Sequence, residues 1–136
     1  MLKRLLLVFM LGIMALSQPV WAADEEGEVA EDYVNYIELK PFVANFISPG
    51  KLRFLKCEIT IQVTSPAAHH AVNYHKAEIR HELVMMLSSK EEKDLKTVAA
   101  QNVLAQEALK KVQNVLLAEE GEAFVADLFF TSFVIQ

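Results

Sequence analysis

Within the segment Leu52 to Thr64, hydrophobic and polar positions alternate strictly over the ten residues from Leu55 to Thr64. Leu55, Cys57, Ile59, Ile61 and Val63 fall on one side, and Lys56, Glu58, Thr60, Gln62 and Thr64 on the other. A period of two over that length predicts a strand with one face in the core and one in water. Upstream, Tyr33 to Leu39 is rich in β-branched and aromatic residues and predicts another strand. Pro41 has no amide hydrogen for a ladder, so the chain is expected to break there or to run along a sheet edge. Phe42, Ala44 and Phe46 then alternate as a second extended piece, which Ser48-Pro49-Gly50-Lys51 ends as a turn.

After Ser65 the apolar spacing becomes helical. Ser65 suits an N-cap and Pro66 the first helical position. Val72, Ile79, Leu83, Met86 and Leu87 form an inward stripe along one long helix that closes at Ser88-Ser89-Lys90. A short helical turn is expected at Glu91, Glu92 and Lys93. A second long helix is expected over Val98 to Leu117, with Ala105, Leu109, Val112 and Leu116 inward, widened by Leu104, Ala108 and Val115. Lys110, Lys111, Gln113 and Asn114 would face solvent, and Glu119-Glu120-Gly121 would end the helix, Gly121 in a left-handed exit. The last segment, Phe124 to Gln136, is apolar at alternate positions on both faces: Phe129, Phe133 and Ile135 against Leu128, Phe130 and Val134. That predicts a strand covered on both sides, in the middle of the structure, whose truncation would unfold the domain. The order of elements predicts an α+β fold, an antiparallel sheet with two long helices packed on one side.

Residues 1–22 carry a different pattern. Lys3 and Arg4 precede an apolar run from Leu5 to Leu16, then Ser17-Gln18-Pro19, then Val20-Trp21-Ala22 with small residues at −3 and −1. These are the three parts of an export signal, with cleavage between Ala22 and Ala23. The run is short against the about 20 helical residues that a membrane core requires, which favours a cleaved signal over a short uncleaved anchor. Residues 23–32 hold Asp24, Glu25, Glu26, Glu28, Glu31 and Asp32 around Gly27, and read as a solvated acidic linker. The folded domain is therefore expected over 33–136.

Composition adds exclusions. In 136 residues, 53% are hydrophobic and 23% charged, which fits one globular domain. Thirteen basic against 18 acidic side chains leave a net charge of −5, a poor balance for nucleic acid. The lone cysteine, Cys57, makes no internal disulfide or cysteine-rich zinc site, and its place in the apolar row marks it as a core residue. Four histidines, His69, His70, His75 and His81, are the one cluster to test for metal or acid–base chemistry. On a helix His75 would share a face with Glu78 and Glu82, and Glu78 with His81. A carboxylate-bridged di-metal site needs partners from a second helix, which brings only Glu107. No His-Glu-x-x-His, G-x-S-x-G or glycine-rich phosphate loop occurs. The expectation is thus no catalytic site, no metal site and no cofactor.

Four pieces in order carry a resemblance: Tyr36-Ile37-Glu38-Leu39-Lys40-Pro41-Phe42-Val43-Ala44-Asn45-Phe46; Leu52-Arg53-Phe54-Leu55-Lys56; Ile79-Arg80-His81-Glu82 with Leu87-Ser88-Ser89-Lys90 and Asp94-Leu95; and Phe129-Phe130-Thr131-Ser132-Phe133-Val134-Ile135-Gln136. Over Tyr33 to Gln136 the chain resembles the flagellar basal-body-associated FliL family. The resemblance implies a periplasmic domain similar in fold to stomatin/prohibitin domains. It implies a non-enzymatic partner of the motor's stator periplasmic segments and of basal-body proteins, close to the inner membrane and assembling as a homo-oligomer. Arg80, Phe130 and Gln136 match favoured family positions and read as architecture, with no binding residue mapped. The chain departs from the family pattern in its cleavable N-terminal segment, in Ala100 and Gln101 where glycine and lysine are usual, and in Ala77 where proline is usual. It therefore reads as a short, divergent member. The alternative is a periplasmic homo-oligomeric scaffold with no direct motor role.

Overall fold

The computed structural model describes residues 33–136. The expected signal with its Ala22–Ala23 junction, and the acidic stretch 23–32, lie outside the described residues.

The long alternating segment is the axis of the molecule. It forms β3 (Arg53–Val63), against which three other strands pair antiparallel. Along one side run β1 (Asn35–Glu38) and β2 (Phe42–Phe46), end to end. Ile37 lies opposite Ile61, and Ala44 opposite Leu55. Pro41 falls between them, so the two are one edge broken at the residue that cannot donate to the ladder. The break is brief, because the Leu39 amide still donates to the Ile59 carbonyl at 3.0 Å. On the other side of β3 lies β4 (Val125–Ile135).

The last strand is not central. Among the described residues β4 pairs only with β3, and β3 holds the middle of the sheet. Nor is β4 covered on both faces. Its register against β3 slips twice, so that Ile59 faces Phe130 while Glu58 faces Ser132, and Val63 faces Val125 while Gln62 faces Asp127. Thr131 and Ala126 are the extra residues, and each resets the in–out alternation by one step. Val125 and Leu128 are therefore buried on the core side, and Phe130, Phe133 and Ile135 pack half-buried against the same core. Phe129 and Val134 point outward and are exposed. A uniform period of two had assigned Phe129 to the same face as Phe133, and Leu128 and Phe130 to that of Val134.

Three helices cover the inner face of the sheet, where two long ones were expected. The first splits into α1 (Pro66–Tyr74) and α2 (Lys76–Ser88), because the backbone at His75 leaves helical geometry (φ −96°, ψ 15°). Ser65 caps α1, its hydroxyl accepting from the Ala68 amide at 3.0 Å, and Pro66 occupies the first turn. The stripe of Val72, Ile79, Leu83, Met86 and Leu87 is buried throughout. A 3-10 turn at Glu92–Asp94 leads to α3 (Val98–Glu120), which Thr97 caps and Gly121 ends in the left-handed region (φ 80°). Leu104, Ala108, Val112, Val115 and Leu116 are its buried positions, while Ala105 and Leu109 are only half-buried. Gln113, expected at the solvent face, donates instead to the Val125 carbonyl at 2.9 Å and holds the start of β4.

These helices and the inner row of β3 share one core. Leu55, Cys57, Ile61 and Val63 are fully buried in it with Phe42, Ile79, Leu83, Leu87 and Leu116. The fold is α+β with an antiparallel sheet.

Candidate functional site

Among the described residues, the outer face of the sheet is the surface the fold leaves open. Cross-strand partners share a face, so the outward row of β3 defines it. Val43, Lys56 and Val134 form one transverse line, Glu38, Thr60 and Phe129 a second, and Tyr36, Gln62 and Asp127 a third. Val43 is 60% exposed, Tyr36 56%, Val134 44% and Phe129 41%, so large apolar groups lie in water between charged neighbours. β4 adds a free edge eleven residues long. Such an edge presents unpaired amides and carbonyls, and the bulges at Ala126 and Thr131 keep it from being a flat template. Beside it, between α3 and β4, runs a shallow groove lined by Gln101, Asn102, Gln106, Asp127, Phe129 and Phe130.

The residues matching favoured family positions are structural here. Arg80 donates to the Lys40 carbonyl at 2.7 Å and the Pro41 carbonyl at 2.6 Å, and its guanidinium lies 4.3 Å from the centre of the Phe42 ring. It satisfies the carbonyls freed where Pro41 interrupts the edge. Phe130 packs edge-on to Phe133 at 5.2 Å between ring centres. Gln136 exchanges both backbone hydrogen bonds with Phe54, at 2.8 and 2.9 Å. Cys57 is fully buried, and burial pushes its thiol from 9.0 up to about 12 against a smaller opposing effect of Arg80. A thiol so placed is inert as a nucleophile.

The histidines do not converge on one another. His69 Nδ1 lies 3.3 Å from Asn35 Nδ2, His70 packs near Tyr74, and His81 is exposed. His75 alone meets carboxylates: its Nε2 is 2.8 Å from Glu120 Oε1, and it groups with Glu78 and Glu119 so that one ligand atom of each lies within 4.8 Å of the others. Glu82 and His81 are outside that group. Glu107, expected as the second helix's carboxylate, pairs with Lys90 at 2.6 Å. Sequence spacing marks Glu119 and Glu120 only as the end of the helix and not as partners of His75, because α3 runs three residues beyond its expected end at Leu117. The signal available was the absence of any breaker before Gly121.

Glu92 receives Lys96 at 2.8 Å and also pairs with Arg53, which fastens the 3-10 turn to the start of β3. The hydrogen bond from Lys96, with the help of Arg53, holds the Glu92 carboxyl below its ordinary value. No helix among the described residues is long and apolar enough to cross a membrane.

Comparison with known proteins places this architecture. The family model described as flagellar basal body-associated protein FliL matches residues 36–136, from β1 through β4. A protein named "Flagellar protein FliL" from Aquifex aeolicus (strain VF5) is 30% identical over 96 residues. The match takes in 71% of this chain and 57% of that relative's length.

Proposed function

The chain belongs to the FliL family of flagellar basal body-associated proteins, and on that premise we propose that it is a non-enzymatic periplasmic accessory of the flagellar motor. It supports or regulates the stator units by binding their periplasmic segments. The observation that carries this reading is the open side of the sheet: exposed Val43, Phe129 and Val134 next to the free edge of β4. Apolar side chains in water beside unpaired backbone groups suit a partner that adds a strand or lays an apolar face on the sheet. Export through residues 1–22 would place the domain on the stator's periplasmic side.

The test is cross-linking in whole envelopes, followed by capture on a tag joined to the C-terminus through a flexible linker. The linker is required because the Gln136 backbone is engaged with Phe54. Stator or basal-body proteins should be captured, and Phe129→Glu with Val134→Glu should abolish the capture while leaving the circular dichroism spectrum unchanged. Capture that persists in this variant moves the contact off the open face.

Among the described residues the sheet has two open edges of different sequence, β1–β2 and β4, and this favours a second reading as a homo-oligomeric scaffold. Self-cross-links without any motor protein would support that reading and remove the stator from the function.

A further inference from the structure

We propose that His75, Glu78 and Glu119 form a binding site for a divalent transition cation of the zinc class, with Glu120 orienting the imidazole. The three come from three places: the junction of α1 and α2, the first turn of α2, and the end of α3. Their ligand atoms lie within 4.8 Å of one another. Ligands bonded to one zinc ion at about 2.0–2.2 Å stand roughly 3.4 Å apart, so small rotations of two exposed glutamates close the site. One imidazole with carboxylates suits zinc and its neighbours, whereas calcium and magnesium prefer oxygen alone.

Charge points the same way. Among the described residues neither Glu78 nor Glu119 enters an ion pair. Glu119 and Glu120 occupy the last turn of α3, which holds no basic residue. A helix C-terminus is already the negative end of its dipole, so two carboxylates there raise the local negative charge further. A cation would offset both.

The histidine is set up as a ligand. His75 ends α1 and begins α2 without using its side chain as a helix cap. The ring is held instead by an edge-on contact with Tyr74, 4.9 Å between centres, and its side chain is only 11% exposed. His75 Nε2 lies 2.8 Å from Glu120 Oε1, and the tautomer that donates Nε2–H to this carboxylate carries its lone pair on Nδ1. A carboxylate fixing the tautomer through one nitrogen while the metal takes the other is the usual outer arrangement of histidine sites. The bound cation would tie the break between α1 and α2 to the far end of α3. This inference does not depend on the flagellar reading.

The test is a titration of the purified full chain with Zn²⁺ by calorimetry, and with Co²⁺ by visible absorption. One Zn²⁺ per chain, Co²⁺ bands of a four- or five-coordinate site, and a higher Tm with Zn²⁺ are expected. His75→Gln and Glu119→Gln should each weaken Zn²⁺ binding by roughly ten-fold or more, and Glu120→Gln by about ten-fold. His70→Gln and His81→Gln should bind as the parent does. If His75→Gln fails to fold, Glu119→Gln decides, since its side chain is exposed. No saturable binding overturns the proposal, as does binding that Glu119→Gln leaves unchanged.

Discussion

Arg80 is one side chain holding a broken sheet edge, and its loss separates three effects. Arg80→Ala removes the bonds to the Lys40 and Pro41 carbonyls and the contact over Phe42. The expected loss is about 1–3 kcal/mol, seen as a lower urea midpoint. Arg80→Lys should recover less than half of it, because an ammonium cannot fork to two carbonyls and stack at once. An unchanged midpoint in Arg80→Ala would mean that the break is held by packing alone. Cys57 gives the other residue-scale prediction. Burial pushes its thiol from the ordinary value of 9.0 up to about 12 in the folded chain. Between those values the unfolded chain has lost a proton that the folded chain keeps. Stability is therefore full below pH 9 and falls as pH rises through this window. Cys57→Ala should flatten the fall, measured as Tm against pH. In the parent, a thiol reagent at pH 8 should react only at the rate of unfolding.

At the scale of elements, β4 is where spacing decides the structure. Its two extra residues bring Val125, Leu128, Phe130, Phe133 and Ile135 to the inner face from a segment in which a uniform alternation would divide them. Deleting Thr131 should turn Phe133 and Ile135 outward or force a slip of the C-terminal half of the strand. The expected loss is about 2 kcal/mol or more, since full burial of such a side chain is worth about 1.5–3 kcal/mol and Phe133 and Ile135 are each half-buried. Thr131→Ala keeps the bulge and should cost less than about 1 kcal/mol. Equal stability for the deletion and the substitution would show that the bulge does not set the register. The 3-10 turn makes a second prediction. Glu92 is bound by Lys96 and Arg53, and its carboxyl is held below 4.5. The stability it contributes is present above that ordinary value and lost as pH falls through the lower, folded one. Glu92→Gln should therefore be less sensitive to acid than the parent, measured by urea unfolding at pH 3–5.

At the scale of the whole molecule, β3 is the shared partner of every other strand and its inner row is the floor of the core. Removing residues 125–136 strips one complete ladder from β3 and the buried side chains of Val125 and Leu128 from the core. The truncated chain should be unfolded by circular dichroism. The cause is the loss of β3's partner, since β4 lies at an edge and not at the centre. The open outer face behaves differently. Val43→Glu with Val134→Glu changes only exposed positions flanking Lys56, places opposite charges beside it, and should change the unfolding free energy by less than about 0.5 kcal/mol. Any self-association in sedimentation that uses this face should disappear in the same variant, through repulsion of like charges and loss of apolar contact.

Local chemistry made much of the fold legible. The alternation of β3, the break at Pro41, the Ser65–Pro66 helix start, the stripe from Val72 to Leu87 and the left-handed exit at Gly121 each follow from a residue acting on its near neighbours. The four ordered pieces likewise pointed to the FliL family, which the match over residues 36–136 supports. Tertiary structure alone decided the rest. The bulges of β4 exist only as a register against β3, so no pattern within Phe124 to Gln136 could reveal which residues were extra. The same holds for the meeting of His75 and Glu120, 45 residues apart, which required the break between α1 and α2 and the full length of α3. A sequence determines by itself what a segment prefers. Which face that segment turns to the core, and which distant side chains it meets, are set by the partners that bury it.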